Sequence, residues 1–64
     1  MDGAKFRKLR REQALSQQDV ERIAGIAQAT LSDLEQGKRG ARASTLRRLA
    51  EVLEVAPKEL MKEE

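Results

Sequence analysis

Cysteine and histidine are both absent from this 64-residue chain. Without cysteine there is neither a disulfide nor a thiolate metal site to staple a small fold. Without histidine the commonest metal ligand and the commonest general base are missing together. Tryptophan and tyrosine are absent too and phenylalanine occurs once, so the core has to be aliphatic. Proline occurs once and glycine four times, while Ala, Leu, Glu, Arg and Gln abound, a composition that favours helix. No apolar run approaches a membrane span or the apolar stretch of a signal peptide, which predicts a cytoplasmic protein. The length suits one domain, residues 1–64, near the lower limit for folding without staples. An all-α fold is expected.

The net charge is only +2, but its distribution is uneven. Lys5, Arg7, Lys8, Arg10 and Arg11 crowd the first helical segment with no acid among them, and Lys38, Arg39, Arg42, Arg47 and Arg48 form a second acid-free block. From Leu49 onward the balance reverses, with Glu51, Glu54, Glu59, Glu63 and Glu64 against Lys58 and Lys62. A molecule with one basic and one acidic end has the electrostatic footprint of a polyanion binder. Solvation of a helix face would explain the first block alone. Both blocks together point to phosphate contact.

Between them lies SQQDVERIAGIAQATLSDLEQ, Ser16 to Gln36. Ser16 is a good helix N-cap, and Asp19 places a carboxylate in the first turn. Val20, Ile23 and Ala24 make an i, i+3, i+4 apolar stripe, and Gly25 follows where a left-handed residue ends a helix. A second helix is predicted from about Gln28 to Gln36, with Leu31 and Leu34 inward and Gly37 as its stop. Any small bundle could share that spacing. The outward face of the second helix is more specific: Gln28, Ala29, Thr30, Ser32 and Asp33 are short or amide side chains, not the usual Glu/Lys mixture. Gln matches the donor–acceptor edge of adenine in the major groove, and Ala or a Thr methyl can touch the thymine methyl. These five are the expected base-reading residues of a helix-turn-helix.

LSQQDVERIAGIAQATLSDLEQGKR, Leu15 to Arg39, resembles the helix-turn-helix of the lambda-repressor/Cro (XRE) family of transcriptional regulators. The similarity continues through TLRRLAEVLEV, Thr45 to Val55, and into PKELM, covering nearly the whole chain. The resemblance implies a compact five-helix domain, with helices two and three forming the helix-turn-helix and residues 28–36 entering the major groove. It further implies a DNA-binding regulator, most simply a repressor, with no cofactor or metal and a place at the nucleoid. Gln17 stands where the family commonly bonds the DNA backbone. An Arg at position 10 commonly pairs with a Glu near the end of the recognition helix, here Glu35. Four departures occur: Glu21 where relatives carry a small residue, Ala27 where a Ser or Thr usually caps, no Pro near Ala41 where relatives often have one, and Glu54 in place of a terminal Gly. Glu21 is expected to pack its stem and send its carboxylate to solvent, and the cap at Ala27 to be lost.

The remaining segments complete the expectation. Helix one should run from Gly3 to Ala14 with Asp2 as its cap and Phe6, Leu9 and Gln13 on one face. GKRGARA, 37–43, is a loop whose Lys38, Arg39 and Arg42, with Gln36 behind them, are the phosphate-contacting candidates. Ser44 should cap helix four, whose Leu46, Leu49, Ala50 and Leu53 form the clearest stripe in the chain. Pro57 should open a last helix. One such domain offers few base contacts, so a homodimer on a pseudo-palindrome is expected, with half-sites about 10 bp apart. The acidic, apolar-tipped end (Val55, Pro57, Leu60, Met61) is the expected dimer contact, the alternative being that Leu60 and Met61 pack back and finish the core. The alternative is a protein-interaction module, such as an antitoxin or regulatory adaptor with the same fold. An enzyme is disfavoured, since Asp33 and Glu35 fall on different helix faces and nothing else pairs carboxylates.

Overall fold

Asp2 begins the fold by accepting the Lys5 N–H at 3.1 Å, the side-chain cap of α1 (Gly3–Glu12). The computed structural model describes residues 1–62; Glu63 and Glu64, counted with the acidic end, lie outside the described residues. After α1 come α2 (Gln17–Ala24), α3 (Gln28–Gln36) and α4 (Ala43–Leu53), then a one-turn 3-10 helix, Pro57–Leu60. The expected fifth α-helix is therefore absent from the described residues, and four α-helices make the fold. The physical reason lies at its end. The Leu60 carbonyl accepts the Asp2 N–H at 2.8 Å, and Met61 turns extended, so the chain ties its last turn to its first residues.

The core is aliphatic apart from Phe6: Val20, Ala24, Ile26, Leu31, Leu34, Leu49, Ala50, Leu53 and Leu60 surround it. Burial of such side chains, at roughly 25 cal/mol per Å² of apolar surface, supplies most of the drive to fold. α3 packs on α1 and α2, and α4 on α2 and the 3-10 turn. The closest approach is at Gly3, where an added Cβ would collide with the Leu34 carbonyl oxygen. Glycine there lets α1 and α3 touch backbone to backbone.

Three expectations need correction here. Ile23 leaves the stripe and is 59% exposed, beside Ala24 and Val52 at the rim of the α2–α4 contact, while Val20 and Ala24 are buried. Arg42, not Ser44, is the N-cap of α4, and no side chain caps that helix. Helix one stops at Glu12, since Ala14 turns left-handed (φ 57°). There the Leu15 and Ala14 amides bond back to the Arg10 and Arg11 carbonyls, the Schellman pattern. Glu54 ends α4 the same way at φ 57°.

Leu60 requires the firmest correction. It is wholly buried, so it belongs to the core and cannot face a second copy. Val55 packs partly against the same core, leaving Pro57 and Met61 exposed.

Candidate nucleic-acid interface

Ser16 and Asp19 fasten the start of α2 reciprocally: the Ser16 hydroxyl accepts the Asp19 N–H at 3.0 Å, and the Asp19 carboxylate accepts the Ser16 N–H at 2.9 Å. A full capping box results, with Asp doing the work more often done by Glu. Those bonds from Ser16, helped by Arg22 at 2.7 Å, hold the Asp19 carboxyl below the usual carboxylate range. The box leaves the first-turn amides of Gln17 and Gln18 pointing out of the helix start, where the helix dipole favours an anion.

From there the chain crosses Gly25, left-handed at φ 72°, and enters α3 at Gln28. Leu31 and Leu34 face the core, so the opposite side of α3 turns outward. Gln28 and Ala29 are exposed, and Thr30, Ser32 and Asp33 are half-buried along the same outward side. The Gln28 side-chain amide donates to the Gln17 carbonyl oxygen at 3.4 Å, bridging α2 and α3. One N–H and the carbonyl oxygen of Gln28 remain, a donor and acceptor pair of the kind adenine's major-groove edge matches. Gln36 donates to the Ser32 hydroxyl at 3.1 Å, and Arg39 reaches Asp33 at 3.6 Å.

The cations flank this face on two sides. The exposed loop 37–42 leaves α3 through Gly37, left-handed at φ 75°, with the Lys38 N–H bonded to the Asp33 carbonyl. Arg39 and Arg42 border a shallow cleft with Thr30 and Thr45. On the other side, Arg7 and Arg11 of α1 line a cleft of about 280 Å³ with Gln17, Ser32 and Gln36. Sequence pattern puts Arg7 and Arg11 in a basic block that points to phosphate contact, but names neither as a contact. Their position depends on the packing of α1 on α3, which no local signal reveals.

Arg10 lies beneath that cleft and is buried, with a bidentate bond to Glu35: Nε to Oε2 at 2.8 Å and Nη2 to Oε1 at 3.0 Å. Its third contact, to the Leu15 carbonyl at 2.7 Å, ties α1, the α1–α2 turn and α3 together. The side chains of Arg10 and Glu35 are 9% and 4% exposed, so the pair is structural and holds α3 in register.

Ala27 lacks a side-chain cap, as expected, and Glu21 is the residue whose expected place needs amending. The Glu21 carboxylate sits at an exposed site but is not left to solvent alone. It crosses the turn and accepts the Gln28 N–H at 2.9 Å.

Among the described residues no His, Cys, Asp or Glu cluster gathers as metal ligands, and no helix is long and apolar enough to cross a membrane. A family model described as Helix-turn-helix matches residues 6–60. The uncharacterized HTH-type transcriptional regulator y4dJ of Sinorhizobium fredii is 44% identical over 59 residues, 92% of this chain and 77% of that protein. The uncharacterized HTH-type transcriptional regulator RghRB of Bacillus subtilis is 40% identical over 60 residues, and the chain spans only 43% of its length. Among solved structures, the restriction-modification controller protein C.AhdI from Aeromonas hydrophila superimposes with a TM-score of 0.87 at 29% identity, covering 92% of this chain and 89% of that one.

Proposed function

The chain belongs to the XRE-type helix-turn-helix family of transcriptional regulators, and from that premise we propose that it binds double-stranded DNA sequence-specifically and represses transcription. The observation that carries the reading is the exposed amide-and-hydroxyl face of α3 lying between two cation-lined clefts. α3 enters the major groove; Gln28, Ala29, Thr30, Ser32 and Asp33 read base edges, Gln28 foremost. Gln17, Gln36, Lys38, Arg39 and Arg42, joined by Arg7 and Arg11, contact phosphates and fix register without carrying sequence information. The whole 64-residue chain acts as one DNA-binding domain. Two copies bind a pseudo-palindromic operator in the cytoplasm, with half-sites about one helical turn apart. Pro57 and Met61 are what remains of the terminal apolar tip for a contact between copies.

Selection of bound duplexes from a random pool tests this reading. Recovered sequences should share a symmetric half-site, and Gln28→Ala should relax the preference at one position of it. Lys38→Ala should weaken every sequence alike and lower the salt slope by about one. Equal losses on selected and random duplexes for Gln28→Ala would remove its base-reading role. A protein partner is the second reading, supported by the exposed Ile23 beside Val52 on the α2–α4 side. Duplex affinity that ignores salt would favour it, since phosphate contact releases counterions.

A further inference from the structure

We propose that Glu21, on the helix preceding the recognition helix, is a positioning residue for base reading: its carboxylate replaces the missing cap at Ala27 and fixes the backbone from which Gln28 projects. The inference rests on the DNA-binding reading above and extends it to a residue that touches no base.

The geometry is specific. Ala27 is the N-cap of α3 and has no side-chain acceptor, and the first turn of α3 contains no acid of its own. Left alone, its first amides would have only water as a partner and its positive end no compensating charge. Glu21 is seven positions earlier, in the last turns of α2, and its Oε2 accepts the Gln28 N–H at 2.9 Å. The residue so held is the first of α3 and the foremost base reader. Gln28 is then pinned at two points, its backbone by Glu21 and its side chain by Gln17 at 3.4 Å. Both anchors come from α2, so α2 sets the angle at which the amide meets the groove. Without the first anchor the leading turn of α3 frays, and Gln28 samples directions that no longer match one base pair.

The carboxylate has a second effect. It places a negative charge at the tip of the face that meets DNA, opposing indiscriminate attraction to phosphate. Cap and charge can be separated, because glutamine keeps an acceptor oxygen and loses the charge, whereas alanine loses both.

Three variants, measured on the selected duplex and on a duplex altered at the base pair facing Gln28, test the proposal. Glu21→Ala should lower the discrimination between the two duplexes, by less than Gln28→Ala does. Glu21→Gln should keep the discrimination while binding both duplexes more tightly at low salt. Ala27→Ser added to Glu21→Ala should recover most of it, since a hydroxyl there reaches the amides of the first turn. The Gln28 amide resonance of the free protein should move in Glu21→Ala, and an unmoved resonance overturns the cap whether or not DNA is bound. A folded Glu21→Ala variant with unchanged base preference also overturns the proposal, as does Glu21→Gln losing as much as Gln28→Ala. If Glu21→Ala does not fold, Glu21→Asp takes its place, since it keeps the charge but falls one methylene short of the Gln28 N–H: lost discrimination supports the cap and unchanged discrimination overturns it. A wild-type chain that selects no duplex at all would refute the DNA-binding reading instead, and the amide shift would still report on the cap.

Discussion

Arg10 and Glu35 show how much one buried pair can decide. Each is almost wholly out of water, and the bidentate bond is the reason the burial is tolerated. Removing one partner strands the other, so Glu35→Ala should cost about 3–5 kcal/mol, measured by urea unfolding. A double-mutant cycle with Arg10→Met should return a coupling energy well above zero, and additive losses would dismiss the pair. Gly3 makes the opposite case, a residue that matters for what it lacks. Gly3→Ala forces the Leu34 carbonyl and α1 apart, and overpacking of this kind typically costs about 1–3 kcal/mol. Equal unfolding midpoints for Gly3→Ala and the parent would dismiss the close approach. The Arg10–Glu35 pairing was legible through family resemblance, because both residues stand at matching positions. The role of Gly3 was not, since a glycine at a helix start looks the same whether or not another backbone lies against it.

At the scale of the element, the ends of the helices differ more than their middles. Gly25 and Gly37 take left-handed turns that glycine adopts without strain, but Ala14 and Glu54 hold the same conformation with a Cβ. That conformation costs an L-residue about 1–2 kcal/mol, so Glu54→Gly should raise stability by about 1 kcal/mol after glycine's own entropy cost. Thermal melts of the two proteins are the measurement, and an unchanged or lower Tm would show the turn is not strained. The start of α2 is sensitive to acid. Asp19 has a carboxyl held below its usual value chiefly by the Ser16 bonds, so the folded state favours its charged form. Its contribution is therefore present above the ordinary carboxylate pKa and is lost as pH falls through the lowered one. Glu59, held down by Lys5 at 2.8 Å, follows the same sign and loosens the 3-10 turn in the same range. The Tm advantage of the parent over Asp19→Ala should be full at neutral pH and shrink on acidification below pH about 4. A constant advantage across that range would exclude the carboxylate as its source.

For the molecule as a whole, the question is how cations far apart in the chain arrive on one face. Arg7 and Arg11 share a cleft with Gln17 and Ser32 because α1 lies on α3, and Arg42 shares one with Thr30 because the loop folds back. If both clefts grip phosphates, Arg7→Ala and Arg42→Ala should each weaken binding to any duplex and reduce its salt slope by about one. Retained slope in either variant would assign that cation to solvent. Sedimentation with and without the selected duplex decides whether two copies assemble, and Met61→Glu should oppose that assembly if the exposed tip makes the contact.

Local pattern alone was enough to determine the helical class, the aliphatic core around Leu31, Leu49 and Leu53, the turn at Gly25 and the amide-rich face of α3. Helical periodicity, capping and composition act over a few residues, and so they are written in neighbouring positions. Tertiary structure decided the rest: Ile23 and Met61 outward, a last turn cut short by the Asp2–Leu60 bond, Arg7 and Arg11 beside Gln17, and Glu21 across the turn on Gln28. Each of these depends on where one helix meets another, and a carboxylate or a glycine acquires its role only from the backbone that packing brings within reach.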